Sequence, residues 1–470
     1  SDNFQDGNDA FIRGEYKKAI ELFLPLAEQG NVEAQYNLGT LYSDDNPKES
    51  IKWLKLAADN GFAEAQLELG EKYLTGTGVK EDHIEALRLI KLAAEPGTRY
   101  GNGYHAAQGH LGDMFQYGSG VDANPELAMK WHRLAKEQLI LLAKQGNAEG
   151  QFDLGLCYQY GCYGDGGIPE NVKEARKWYQ FAAEQGDVEA QDQLGEFLLG
   201  QYSFNDNLVK VETYPPDYKE AAKWFRLAAE WGYQYSQISL GELYLKGKGV
   251  QFNIDEATKW FRLAADQNNS EGLYKLGMYY KSRENAEETT KWFKLAAEQG
   301  HIKAQNELGD WYNFYFEPEV VLTDYKEAMK WYRMAAKQKK RGSAYAQRWL
   351  GQMYEEGKGV PVDIGEAVKW FRLAAENQDY TIKEISDTEL HLGHIFKKGK
   401  DYKEAVKWYD RSAKNGNAYA QRFMGIMYAD GLGVPQDIKV AVKWFQLAAD
   451  NGDVGAQKTL DVLQEIQDPS

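Results

Sequence analysis

His391 and His394 stand three residues apart, a spacing that puts two imidazoles on a similar helix face and could begin a metal site. They flank Leu392-Gly393, and no clear third ligand follows. His105 and His110 make a weaker pair, and neither pair has the closed ligand set of zinc. Cys157 and Cys162 lie close together in "LCYQYGCYG". They read either as a disulfide, since the chain turns after Gly161, or as one core thiol and one loop thiol. A CxxxxC pair is no redox motif and does not fix a compartment. Carboxylates are so abundant that pairs three or four apart arise freely, and none forms an acid-base constellation. No serine sits in GxSxG, neither cysteine is coupled to a histidine and an orienting carboxylate, and there is no GxxxxGK[ST] loop. Gly-x-Gly-Val turns mimic nucleotide motifs, but they join two helices where such a motif needs a strand and a helix. The expectation is therefore no metal, no cofactor and no enzyme; catalysis would need a site built from insertions.

The elements that would have to position any chemistry repeat themselves. "AEAQYNLGTLY" returns as "AEAQLELGEKY", "VEAQDQLGEFL", "IKAQNELGDWY" and "AYAQRFMGIMY". Taking the internal glycine as a register mark gives Gly39, Gly70, Gly112, Gly155, Gly195, Gly241, Gly277, Gly309, Gly351, Gly393 and Gly425, spaced 31 to 46 residues apart. A shorter pair precedes them and a lone helix, Val454 to Ile466, closes the chain. The count is twelve helix pairs and one helix. Such self-similarity means a solenoid with a long surface and no single pocket. In the first full copy Ala34, Leu38, Leu41 and Tyr42 share one face. A second helix over Pro47–Asp59 buries Ile51, Trp53, Leu54, Ala57 and Ala58. Ten of the thirteen tryptophans fall at one equivalent position, each after a lysine, and Leu89 takes that position in one copy. That regularity reads as packing, with the lysines toward solvent. A glycine inside a helix costs about 1 kcal/mol against alanine, so its recurrence needs a reason. Close packing supplies one, small positions receiving the large Trp or Tyr.

These units resemble Sel1-like repeats, a subclass of tetratricopeptide-type repeats, through "A-x-Q-x-x-L-G-x-x-Y", "G-x-G-V" and "A-x-x-W-x-x-x-A-A". The pair within residues 1–30, with Gly14, Tyr16, Ala19 and Phe23, looks nearer to an ordinary tetratricopeptide repeat. The resemblance implies one all-α, right-handed superhelical solenoid over 1–470. It also implies protein-protein roles, among them bacterial immunity proteins that neutralise a secreted phospholipase or other toxin. By the same resemblance the first helix of each pair lines the concave face. Residues one after the register glycine then point into a groove: Glu71, Asp113, Glu196, Glu242 and Asp310. Residues three before it include Tyr36, Phe152, Ile238, Tyr274, Arg348 and Arg422, with Tyr345 and Tyr419 nearby. This groove reads either as a partner-binding face, acidic early and basic late, or as ordinary solvated helix surface.

Insertions break the period, the largest from Gly200 to Tyr218. Its Tyr202, Phe204, Val209, Val211 and Tyr214 cover the edge of the solenoid or contact a partner, and Val209–Val211 could run extended. The basic run Lys337–Arg341 is a solvated patch or meets an acidic partner. A net charge of −16 disfavours nucleic acid and anionic membrane and suits a basic protein partner. No run approaches 18 apolar residues, so direct membrane insertion is not expected. The polar start "SDNFQDGNDAF" is not a signal peptide; it is the mature end of a processed protein or a trimmed chain. The expectation is a protein-binding solenoid, exported or periplasmic with the cytoplasm left open, of unfixed oligomeric state. It would neutralise a secreted effector or, alternatively, serve as a scaffold in envelope assembly or quality control.

Overall fold

The computed structural model describes residues 2–96, 103–164, 167–200, 215–314, 324–338, 342–377 and 380–467. Twenty-five helices lie among them, twelve antiparallel pairs (repeats 1 to 12) and a last helix, Val454–Gln467. The chain is the all-α repeat solenoid expected. The expected second helix, Pro47–Asp59, has those bounds, and its buried face is the one read from the pattern, with Ser50 added. The repeats fall into two compact units, 1–272 and 273–470. Tyr202, Phe204, Tyr214 and the 209–211 stretch lie outside the described residues, as do 339–341 of the basic run.

Within each repeat the local chemistry sets the bounds. Every second helix from repeat 2 onward is capped by Asn or Asp, as where Asn253 accepts from the Asp255 and Glu256 N–H groups at 3.0 Å. In the Gly-x-Gly-Val turn, Gly247 ends the first helix at φ +62. Two residues on, Gly249 has φ +71 and lies on the Tyr218 carbonyl of the previous repeat, where no Cβ would fit. The valine after it, Val250, packs against the core.

The register glycines receive a side chain, but not the tryptophan. A Cβ on Gly241 would sit 2.5 Å from Phe261, and one on Gly195 would sit 2.6 Å from Phe225. The knob is in each case the residue after the tryptophan position: Leu54, Ile90, His132, Tyr179 and onward to Phe445. This corrects the assignment to Trp or Tyr as such. The tryptophans flank the knobs; Trp53 packs with Phe23, Ala34 and Leu38. The lysines before them are exposed, as expected.

The glutamine of the A-x-Q phrase stitches one repeat to the next. Gln66 donates to the Ala58 carbonyl at 3.0 Å, Gln237 to Ala229 at 3.2 Å and Gln305 to Ala297 at 2.8 Å. Each caps a carbonyl that the preceding second helix leaves without an intrahelical donor. In some repeats the other end of the amide also accepts from the C-cap of its own repeat, as in Gln185 to Gln151 at 2.7 Å and Asn451 to Gln421 at 2.9 Å. Leu273 stands in the glutamine position where the two units divide, and Glu389 stands there in repeat 11, buried beside Arg411 at 2.8 Å. In the last helix Asp461 occupies the glycine position, exposed.

Candidate functional site

Within each unit the first helices of successive repeats present polar side chains side by side, and several of these bond to one another. Position one after the glycine meets a residue two before the glycine of the following repeat. Thr40 donates to Glu68 at 3.4 Å, Ser239 donates to Glu196 at 2.8 Å, and Glu71 pairs with His110 at 3.3 Å. Glu71 also lines a pocket of about 520 Å³ with Tyr36, Glu64, Glu68 and Tyr104.

The same position serves the knob in three of the four repeats where the knob is polar, the exception being Tyr179, whose hydroxyl donates to Gln159. His132 fills the space over Gly112 and its Nε2 meets Asp113 at 3.0 Å. Tyr332 fills the space over Gly309 and donates to Asp310 at 2.5 Å. Tyr345 of the next repeat donates to the same carboxylate at 2.8 Å. Burial pushes the Asp310 carboxyl up, and these two donors pull it back. The sequence carries no rule for this: Leu156 follows the glycine under Tyr179, and Glu71, Glu196 and Glu242 accompany the apolar knobs Ile90, Phe225 and Phe261.

The remaining residues expected to bind a partner divide further. Glu242 pairs with Lys246 on its own helix at 2.6 Å. Arg422 pairs with Asp453 at 3.1 Å and lies 5.8 Å over the Tyr419 ring. Arg348 acts on Tyr380 through a hydrogen bond. The late basic end of the groove is therefore largely committed within the chain. His391 and His394 do not converge; His391 meets Glu355 at 2.7 Å and His394 Nδ1 meets the Tyr409 hydroxyl at 2.8 Å. Among the described residues no three His, Cys, Asp or Glu side chains group as metal ligands, and no helix is long and apolar enough to cross a membrane.

One tract in repeats 5 and 6 differs. Asp187, Glu189, Asp192 and Glu196 all have carboxyls pushed up, first by burial. The charges acting on them are other carboxylates: Asp153 on Asp187 and Glu189, Glu189 and Glu196 on Asp192, and Glu242 on Glu196. Asp192 reaches about 7 despite accepting the Ser236 hydroxyl at 2.6 Å. Tyr233, whose hydroxyl is pushed up by burial and then by the same acids, stands beside the exposed Tyr235 at 5.5 Å. Glu196 was expected and Asp192 stands three before Gly195, at a position taken as groove-facing; Asp187 and Glu189 sit outside both positions.

Two further features were not legible. Cys157 and Cys162 form a disulfide, the first of the two readings, which ties the end of the helix Ala148–Tyr160 to the loop carrying Tyr163. The Tyr163 ring closes over Gly109 of the preceding repeat. Residues Arg13 to Lys18 also border a crevice of about 1250 Å³ with Gly232, Gln237, Trp260 and Gln267 from repeats 6 and 7.

The chain matches the model of the Sel1 repeat in twelve segments between residues 4 and 453. Over 60 residues it is 45% identical to an F-box protein of Arabidopsis thaliana, covering 12% of this chain and 17% of that one. Over 86 residues it is 33% identical to the DAP3-binding cell death enhancer 1 of Mus musculus, covering 18% and 17%. The chain thus spans less than a fifth of these relatives. Among solved structures it is similar to c5321, a protective antigen of uropathogenic Escherichia coli with an SLR fold. That likeness has 29% identity and a TM-score of 0.50, and covers 95% of this chain and 90% of that one.

Proposed function

The chain belongs to the Sel1 repeat family, a family of protein-interaction repeats, and from that premise we propose that it holds a protein partner rich in Lys and Arg against the carboxylate tract of repeats 5 and 6. The observation that carries this reading is the strain on Asp187, Glu189, Asp192 and Glu196, raised first by burial and then by neighbouring carboxylates, with no basic side chain acting on them among the described residues. A cationic side chain from outside would relieve it. Tyr233 and Tyr235 offer ring faces for the same cation.

Neutralising a secreted effector, such as a phospholipase, is the form of this role we favour over a scaffold. The bridged Cys157–Cys162 pair fits that form, being of a kind that persists in oxidising compartments, though it does not by itself fix where the chain acts. Co-purification from the native cell separates the two: one tight partner for the effector, several standing subunits for the scaffold. The surface itself is tested with a Lys/Arg-rich peptide as probe, titrated calorimetrically against the full chain. Affinity should fall with added salt and fall at least tenfold in a variant with Asp187→Asn, Glu189→Gln, Asp192→Asn and Glu196→Gln. Equal affinity of that variant for the probe, with the fold intact, refutes the placement.

A further inference from the structure

We propose that the second helices of repeats 2 to 7 form a self-complementary ridge on which a second copy of this chain docks. Three residues after each tryptophan position stands an apolar side chain that the fold leaves exposed: Leu56, Leu92, Leu134, Phe181, Leu227 and Leu263. Leu56 is 40% and Leu227 44% exposed. Single exposed leucines are ordinary, but the same exposure at one register in six successive helices makes a line of apolar rungs. Each rung is bracketed along its own helix. Lys223, Leu227 and Glu230 fall at i, i+4 and i+7, one face of the helix, and all three are exposed. Lys52, Leu56 and Asp59 repeat the arrangement, as do Lys259, Leu263 and Asp266.

The ridge is thus an apolar line with a basic row on one side and an acidic row on the other. A membrane surface or a partner of single charge would match one row and oppose the other. A second copy turned by a two-fold axis runs its helices antiparallel, which sets each basic row against an acidic row while the rungs meet. The lysines already touch Glu residues three before them, as Lys52 does Glu49 at 3.0 Å, but these pairs are exposed and are exchanged at little cost. This ridge is separate from the first-helix tract of the proposed partner site.

The test uses the full chain in sedimentation equilibrium across the micromolar range. The wild type should be a dimer. A variant with Lys177→Glu, Lys223→Glu and Lys259→Glu should be a monomer, as should one with Glu184→Lys, Glu230→Lys and Asp266→Lys. With the two-fold axis passing through repeat 6, so that repeats 5 to 7 of one copy face repeats 7 to 5 of the other, the two variants mixed one to one should restore a heterodimer. Leu227→Gln with Leu263→Gln, which changes no charge, should weaken the dimer at least tenfold and serves if a charge variant fails to fold. A monomeric wild type, variants that dimerise as well as it does, or a mixture that stays monomeric overturns the proposal. So does a monomeric wild type that binds phosphatidylserine vesicles, which would give the ridge to lipid.

Discussion

Substituting Gly241 by alanine isolates the packing that gives the repeat its period. On helix propensity alone the change should stabilise by about 1 kcal/mol. The new Cβ, however, would sit 2.5, 2.9 and 3.0 Å from three atoms of the Phe261 ring. Carbon atoms pack at about 3.5–4.0 Å, so the ring or the helix must give by about 1 Å. Phe261 is only 3% exposed and has Ala257, Ala264 and Ala265 buried on its own helix, which leaves no open side to retreat to. Overpacking of this kind costs about 1–3 kcal/mol. The net effect should be a loss of about 1 kcal/mol, and Gly241→Leu should lose far more. Phe261→Ala alone should cost about 3–5 kcal/mol. In that background Gly241→Ala meets no ring, so its sign should reverse to a gain of about 1 kcal/mol. Urea unfolding followed by circular dichroism gives the totals. Hydrogen exchange over Gln234–Lys246 and Ile254–Asp266 localises the change to this pair. If Gly241→Ala stabilises in both backgrounds, the glycine is not kept for the knob and the packing argument fails.

Gln237→Leu removes the bond to the Ala229 carbonyl, which keeps the Gly232 N–H at 3.0 Å, and should cost about 0.5–1.5 kcal/mol, the net worth of one hydrogen bond. Hydrogen exchange should rise at the end of the helix Tyr218–Glu230; unchanged exchange there would show the stitch to be idle. Replacing both cysteines by serine opens a loop with a sequence separation of 5 and should cost about 2 kcal/mol on the chain-entropy account. Thiol labelling of the denatured, unreduced wild type should find no free thiol, and labelling at either position would refute the bridge.

The repeat count, the helix bounds and the buried face were legible because the same local phrase recurs and helix geometry is local. The knob was not, because "KWFRLAA" puts two large rings side by side and periodicity does not say which one faces a glycine on another helix. The partners of Glu71, Glu196 and Asp310 escaped for a related reason: they lie a full repeat away at His110, Ser239 and Tyr345 respectively. The exposed ridge was hidden by composition, since Leu227 precedes two buried alanines and reads as part of the core. What separates Asp192 from the other acids is first its burial, which a one-dimensional reading does not show.

The carboxylate tract sets stability against binding, and that opposition can be measured. Asp192 titrates at about 7 in the folded chain, against an ordinary value of 3.8. Between those values the folded state holds a proton the unfolded state has lost, so stability falls as pH rises from about 4 to about 7 and is level above. The shift corresponds to a ceiling of about 4 kcal/mol, and relaxation around a residue with a hydroxyl donor brings the expectation to about 1–3 kcal/mol. Asp192→Asn keeps an acceptor for Ser236 and cannot ionise. It should therefore stabilise the chain by that amount at pH 8, match the wild type near pH 4, and flatten the difference between them below that. A cationic partner acts in the opposite direction: it favours the ionised carboxyl, so binding at pH 6 should expel protons. Calorimetry of the Lys/Arg-rich probe in buffers of different ionisation enthalpy reads that release directly. The variant that is more stable alone should bind less tightly and release fewer protons, because the buried, crowded charge removed from the free protein is the same charge the partner would have met. A variant that gains stability while keeping both its affinity and its proton release would show that the strained acids are not what the partner meets.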